Sequence, residues 1–365
     1  MRIQSYRGGR TALDVNPTTG DGEEARRSGV KLSLSDRLDR FQRNHPWASF
    51  PIAVIYKFFD DQGSYLAALI TYYGFVSLFP LLLLLSTVLD FALHNDPSLQ
   101  QKVLSSALGQ FPVIGQQLGD PRGVSGSGVG LAVGILGTLY GGLGVGQAIQ
   151  HAMNVAWMVP RNSRPNPLKS RGRGLLLLVV AGGAVLATTV LSGLGVSARA
   201  FGSSVGAGLK ILLFGSSIGI NLGVFLLTFR VATARTVTTR TVLPGALLAA
   251  IAWQLLQTFG AVYVTHVLKN ASATNGVFAL VLGLVGWIYL EAIVIVFAVE
   301  INVVRALRLY PRALLTPFTD NVNLTPADEF TYRDQAEAQR AKGFEDIDVR
   351  FDPPQAGADS GESWS

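Results

Sequence analysis

Residues 65–85 of the chain are YLAALITYYGFVSLFPLLLLL, and this stretch decides the fold class. It contains no charged residue, and its length matches the roughly 20 apolar residues that a helix needs to cross the hydrocarbon core of a bilayer. A single stretch of this kind could also form a buried core helix of a soluble protein. The rest of the chain separates these two interpretations.

The composition and the number of apolar segments favour the membrane. Of the 365 residues, 49% are hydrophobic and 15% are charged, which is more apolar than an ordinary soluble domain. Between residues 91 and 290 the acids are confined to Asp96 and Asp120. The sequence predicts an all-α polytopic membrane protein with six transmembrane helices, near residues 65–89, 128–151, 174–196, 209–230, 243–266 and 276–304.

The basic residues predict the orientation. Of the 30 Lys and Arg residues, 25 lie before the first span, after the sixth, or in the loops that follow the second and fourth spans. Loops rich in Lys and Arg stay on the cytoplasmic side, so both termini are expected there. The loop cluster Arg161, Arg164, Lys169, Arg171 and Arg173 adjoins two spans, and we therefore expect it to meet anionic lipid head groups rather than nucleic acid. A homo-oligomer is left open.

The regions outside the spans differ in composition. Residues 1–48 are predicted to form a polar, largely flexible cytosolic arm, and residues 49–63 an amphipathic helix in the membrane interface. A cytosolic packing helix is the alternative for the latter segment. Residues 64–310 form the predicted membrane domain. Residues 311–365 are acidic and contain Pro, Gly and Ser, which predicts a disordered cytosolic tail.

Polar side chains inside the predicted spans are the candidate functional residues: Glu291, Glu300, Asn302, Asn154, Asn221 and Gln254. A charge at the centre of a membrane helix costs roughly 2.5–3.5 kcal/mol, so Glu291 indicates either a proton- or substrate-coupled site or a neutral carboxyl bonded to a neighbouring helix. Glu300 and Asn302 lie near the cytoplasmic end, where anchoring by water or an arginine is the favoured interpretation. The remaining residues are interpreted mainly as interhelical hydrogen-bonding groups.

Small residues and one proline predict how the helices meet. Glycines spaced four residues apart, such as Gly142 and Gly146 in the second span and Gly215, Gly219 and Gly223 in the fourth, predict close helix contacts. Pro80 has no backbone N–H to donate, so the first span is expected to kink there.

Patterns for catalysis or cofactor binding are missing from the sequence. The chain has no cysteine, and its four histidines are scattered without HExxH or paired spacing. The glycine-rich run 140–146 lacks the Lys-Ser/Thr of a phosphate-binding loop. The sequence therefore predicts no enzyme activity, no catalytic residues, no metal and no cofactor.

Several short motifs together resemble a known family: FFDD at 58–61, SLFP at 77–80, AMNVA at 152–156, PGALL at 244–248 and GWIYL at 286–290. The chain resembles the YihY/BrkB family of bacterial inner-membrane proteins, once labelled ribonuclease BN, over about residues 56–305. The resemblance implies six spans in the cytoplasmic membrane with both termini inside. At the position of Glu291 this family is expected to carry a small or neutral polar residue, so any role of this carboxyl is expected to be particular to this subgroup.

The resemblance also frames the functional hypotheses. Family members are described as envelope or virulence-associated proteins, and some are thought to move lipid or other envelope components. The first hypothesis is therefore a transporter or trafficking factor for an envelope lipid or small solute. The second is a non-transporting scaffold for envelope assembly, and a ribonuclease is a distant third.

Overall fold

The computed structural model describes residues 34–92, 128–200, 207–269, 273–314, 316 and 322–351, with side chains mainly within 37–78, 132–184, 211–260 and 281–351. All regular structure in these ranges is helical. The helices are α1 Leu34–Asn44, α2 Pro46–Asp60, α3 Gly63–Ala92, α4 Gly128–Ala156, α5 Pro167–Ala200, α6 Ala207–Ala232, α7 Thr239–Lys269, α8 Ala273–Leu307 and α9 Pro326–Glu337.

Six long helices, α3 to α8, coincide with the six predicted spans. Within the described residues, three segments are long and apolar enough to cross a membrane: Phe214–Ala232, Thr239–Gly260 and Val281–Leu307. The all-helical, multi-span character predicted from the sequence is therefore confirmed. The number of six crossings and the side on which the termini lie stay predictions.

The six long helices form a closed ring. Each packs against the next one along the chain, and α8 returns to pack against α3, while α4 also contacts α6 and α8. In the described ranges, substantial contacts are not found between α3 and either α6 or α7, or between α5 and either α7 or α8. The connectivity thus wraps the helices around a shared interior rather than stacking them in layers.

Glycines allow close approach on one side of this ring. A Cβ added to Gly146 of α4 would lie 2.7 Å from the Cα of Gly174 on α5, and one added to Gly141 would overlap the backbone of Ser77 on α3. The structure differs from the prediction on α6. A Cβ added there at Gly215, Gly219 or Gly223 (the fourth-span glycines) would meet no described atom within 4 Å, so this face of α6 is not a close contact within the described part of the chain.

The first and last segments that the structure describes meet on one face of the ring. The backbone N–H groups of Arg161 and Asn162, in the loop after α4, donate to the carbonyls of Ala338 and Arg340, each at 3.2 Å. Helix α1 approaches the same region, since the N–H of Leu314 donates to Asp39 at 3.0 Å. We refer to this face as the cytoplasmic face, following the charge distribution of the loops.

Part of the region expected to be a disordered tail is folded. Helix α9 lies within residues 311–365 and begins with a capping box, in which the side chains of Thr325 and Asp328 each bond the other residue's backbone N–H. Both residues are buried. The acidic composition predicted disorder, because composition alone does not show that Arg312 compensates the charge of Asp328. Residues 352–365 lie outside the described part.

Two further predictions concern the first half of the chain. Helix α1 gives structure to the end of the arm predicted as largely flexible, whereas residues 1–33 lie outside the described part. Helix α3 continues through Pro80 to Ala92. Its side chains beyond Leu78 lie outside the described residues, so the kink at Pro80 stays a prediction.

Candidate functional site

A fully buried lysine lies where three helices meet at the cytoplasmic face. The Lys57 ammonium, on α2, pairs with the carboxylate of Asp61 and donates to the carbonyl of Ala156 on α4 at 3.2 Å. It also lies 3.8 Å from a carboxylate oxygen of Glu300 on α8. Burial alone would lower the pKa of Lys57, but the Glu300 and Asp61 carboxylates outweigh it and raise that pKa, so the lysine is charged at neutral pH.

An arginine extends this arrangement into the C-terminal segment. The buried Arg312 guanidinium donates to Asp328 at the start of α9 and, at 3.0 Å, to Asp60 at the end of α2. It lies over the rings of Tyr56 and Tyr332, at 6.0 and 5.5 Å from their centroids, within range of a cation–π attraction. Burial raises the pKa of Asp60 even though Arg312 opposes the shift.

These groups form two ion-paired sets, Lys57 with Asp61 and Glu300, and Arg312 with Asp60 and Asp328, which are adjacent because Asp60 and Asp61 are neighbours in the chain. We call the six residues together the ion cluster. Gln335 of α9 also donates to Asp61 at 2.9 Å. The sequence analysis singled out Glu300 but expected water or an arginine as its partner. The lysine takes this role because α2 packs directly against α8. The sequence signal for this partner was Lys57, a single lysine in an apolar segment that ends in Asp60 and Asp61.

Two other predicted residues form interhelical hydrogen bonds near the same face. The Asn302 side-chain oxygen on α8 accepts from the N–H of Gly245 on α7 at 2.8 Å. The Asn154 side-chain oxygen at the end of α4 accepts from the N–H of Ala234, after α6, at 2.9 Å. Both asparagines are buried, so these bonds satisfy backbone groups that water could not reach.

Glu291 has different surroundings. It is buried on α8, and its carboxylate accepts a hydrogen bond from the indole N–H of Trp287 at 2.9 Å. The donor lies one turn away on the same helix. A hydrogen bond to a neighbouring helix was one of the two interpretations from the sequence, and the bond from Trp287 does not tie Glu291 to another helix.

The contacts between α7 and α8 place Gln254 at the depth of Glu291. Gly245 contacts both Ala298 and Asn302, which fixes the register of these two antiparallel helices. Counting outward from that contact at 1.5 Å per residue brings Glu291 and Gln254 to the same level, about 13 Å from Glu300.

Asn221 of α6 lies close to this level. The rings of Phe225 on α6 and Trp253 on α7 are 5.9 Å apart, and Asn221 is one helical turn, about 6 Å, further outward than Phe225. The side chains of Asn221 and Gln254 are half-buried. We call Glu291, Gln254 and Asn221 the mid-membrane polar layer. It is contributed by three consecutive helices of the ring.

Metal chemistry has no support in the same region. Among the described residues there is no group of three or more His, Cys, Asp or Glu side chains placed to hold a metal ion. In the ion cluster, Asp61 pairs with Lys57, and Asp60 and Asp328 pair with Arg312.

The comparisons with known proteins identify the family. No curated protein and no solved structure shows significant similarity to the chain. The sequence pattern of the Virulence factor BrkB family matches residues 54–320, which include the mid-membrane polar layer and every member of the ion cluster except Asp328. The resemblance drawn from the sequence is thereby confirmed. The chain belongs to the Virulence factor BrkB family, and with its long apolar helices it is a multi-pass protein of the bacterial inner membrane.

Proposed function

We propose that this protein moves, or helps to traffic, an envelope lipid or a small solute through the inner membrane. The observation that carries the proposal is the mid-membrane polar layer within a closed ring of helices. Transporters commonly bind substrates near the bilayer midplane, between helices, where a few polar groups provide specificity. The six-span topology with both termini in the cytoplasm is part of this proposal.

The surroundings of Glu291 favour a functional role over a purely structural one. A carboxyl at this depth costs stability on insertion, and its hydrogen bond from Trp287 lies within one helix. It therefore contributes less to holding the helices together than Asn302 does across α7 and α8. A residue that costs stability without linking helices is expected where a substrate, ion or proton interacts with it.

A non-transporting scaffold is the second candidate function. It is favoured by the close contact between Gly146 and Gly174 and by the interhelical bonds of Asn154 and Asn302, which make a tightly joined cytoplasmic half. A scaffold would not need Glu291. Ribonuclease activity is not part of the proposal.

The lipid contacts proposed for the cytoplasmic loops involve a subset of the basic residues. In the loop after α4, Arg161, Lys169 and Arg171 are exposed. Arg164 is engaged with the carbonyl of Val159 at 3.1 Å, and Arg173 is also half-buried. The three exposed side chains are the ones that we propose to contact anionic head groups, because they extend from helix ends at the membrane surface.

A binding experiment separates the two functions. The full chain would be purified in native-lipid nanodiscs, and the lipids and solutes that co-purify would be identified by mass spectrometry. The test variants are Glu291→Leu and Gln254→Leu. Thr258→Val is the matched control, since Thr258 is exposed on α7 one turn from Gln254 and its hydroxyl bonds the carbonyl of Gln254 at 2.8 Å.

The transport proposal expects a species that binds the wild type and Thr258→Val, is lost in Glu291→Leu and is reduced in Gln254→Leu. Equal recovery of every species from all four folded proteins would overturn it in favour of the scaffold. Size-exclusion profiles show whether each variant is folded.

A further inference from the structure

The ion cluster contains more acids than bases. Four carboxylates, from Asp60, Asp61, Glu300 and Asp328, accompany the two cations of Lys57 and Arg312. Ionising all of them would leave two negative charges uncompensated in a region largely removed from water. Buried charge of one sign is strongly disfavoured, and such groups take up protons instead.

Glu300 is the acid at which this imbalance is concentrated. Its side chain is fully buried, and neither of its carboxylate oxygens receives a hydrogen bond from a residue that the structure describes. Asp61, by contrast, is bonded by both Lys57 and Gln335. Both carboxylates lie beside the same Lys57 ammonium, Asp61 as its ion-pair partner and Glu300 at 3.8 Å.

Two neighbouring carboxylates can form a hydrogen bond only when one of them holds a proton, since an ionised carboxylate is an acceptor alone. We propose that Glu300 and Asp61 share one exchangeable proton beside Lys57, so that the ion cluster is a proton-binding site at the cytoplasmic end of the ring. The proton passes between a carboxylate oxygen of this pair and water, and Lys57 retains its own proton throughout.

The groups around this pair come from every element packed against it. Lys57, Asp60 and Asp61 come from α2 and its end, and the carbonyl of Ala156 comes from α4. The C-terminal segment contributes Arg312, Asp328, Gln335 and Asp334, and Asp334 lies close enough to interact with Lys57. Lys57 is the only one of the two cluster cations that contacts Glu300 or Asp61 directly.

A proton fits this site better than a metal ion. The position that a cation would take between the two carboxylates is next to the Lys57 ammonium, which would repel it. The described residues also contain no grouping suited to a metal. The proposal does not depend on what the protein moves.

Infrared spectroscopy tests the proposal on the full chain in nanodiscs. A protonated carboxylic acid has a carbonyl band that a carboxylate lacks, and this band would be followed as the pH is raised. The variants are Glu300→Gln and Asp61→Asn, with Glu291→Gln as the matched control because Glu291 is a second buried carboxyl on the same helix.

In a Glu291→Gln background, which removes the band of that second buried carboxyl, the expected result is a titrating band equivalent to one carboxylic acid per chain. This band should be absent when either Glu300→Gln or Asp61→Asn is added. Survival of the full band in either of these two variants would contradict a shared proton. A Glu300→Gln chain that fails to fold would contradict it too, because the neutral side chain represents one of the two native states.

The outcome is independent of the binding experiment. A titrating band that depends on Glu300, together with no bound species, would support the proton site and refute the transport proposal. A bound species without such a band would support the transport proposal and refute the proton site.

Discussion

Glu291 and Glu300 are two buried carboxyls on one helix, and they differ in what surrounds them. Glu300 lies 3.8 Å from a lysine that comes from α2. Glu291, about 13 Å further out by the rise of the helix, has a hydrogen bond from Trp287 of its own helix. The same residue type is therefore accommodated by charge pairing between elements at one level and by a local neutral donor at the other.

The difference extends to the packing around each carboxyl. Around Glu300, α2, α4 and α8 are joined by charged groups, and α9 is attached through Gln335 and Arg312. At the level of Glu291, the side chains of Asn221 and Gln254 are half-buried, and the hydrogen bond to Glu291 comes from its own helix. The cytoplasmic end is thus joined by charged groups from several elements, whereas no described ion pair joins the polar groups at the level of Glu291.

The largest effect on stability is expected from Lys57→Met. It leaves Glu300 and Asp61 without their cation, and removing one partner of a buried ion pair costs about 3–5 kcal/mol. The expected result is a large loss of thermal stability, followed by tryptophan fluorescence of the purified protein. Lys169→Met, at an exposed lysine, should change stability by no more than about 0.5 kcal/mol.

A second substitution tests whether the lost stability comes from acids without a cation. Adding Glu300→Gln to Lys57→Met removes one of the two carboxyl groups left beside the missing lysine, and it should restore part of the lost stability. If Lys57→Met proves as stable as Lys169→Met, the ion cluster does not organise the cytoplasmic end.

Arg312→Met should have a smaller and more local effect. It removes the cation of Asp328 and Asp60, at an expected cost of about 3 kcal/mol, near the lower end for a buried pair because Asp60 is partly exposed. Since Arg312 attaches α9 to α2, limited proteolysis should cut residues 322–351 faster than in the wild type. Arg350→Met, at an exposed arginine, is the control. Equal cleavage rates in the two variants would show that Arg312 does not hold this segment.

Gly245, near the level of Glu300, and Gly286, further outward on α8, also differ in how they would tolerate an added methyl group. Gly245→Ala would bring its Cβ against the carbonyl of Ala298 and the side chain of Asn302, and such overpacking costs about 1–3 kcal/mol. Gly286→Ala on α8 meets no described atom within 4 Å and should stabilise the helix by up to about 1 kcal/mol. Thermal unfolding of both variants gives the comparison. Equal shifts in the two would mean that α7 and α8 are not in close contact at Gly245.

The smallest effect is expected at Glu291. Glu291→Gln keeps an acceptor for the Trp287 indole and should change the unfolding free energy by no more than about 0.5 kcal/mol. Glu291→Leu leaves that N–H without its partner, which costs about 1 kcal/mol. Thermal unfolding and the nanodisc binding assay would be performed on the same preparations. A loss as large as that of Lys57→Met would show that Glu291 is structural.

The helical architecture could be predicted because it depends on local hydrophobicity. A segment such as residues 281–304 is predominantly apolar, and lipid requires it to satisfy its backbone hydrogen bonds as a helix. Pairing between helices does not depend on local hydrophobicity. Asp60 and Arg312 are 252 positions apart, and the sequence around either residue does not identify the other as its partner.

The C-terminal segment shows the limit of composition more sharply. Its acidic residues predicted disorder, but Asp328 is both the N3 residue of the α9 capping box and the partner of Arg312. The sequence TPAD at 325–328 contains a usable signal for a helix start. Asn221 is the opposite case, since a lone polar residue in a span indicates its depth but not the direction in which it points.

The order in which the ribosome makes the chain gives the Arg312 contact a consequence for biogenesis. Asp60 is synthesised before the first long helix, and Arg312 emerges only after the last one has been made. Until then Asp60 has no arginine partner. Closing that contact marks the completion of the helix ring, and a chain that ends before residue 312 leaves Asp60 without its cation.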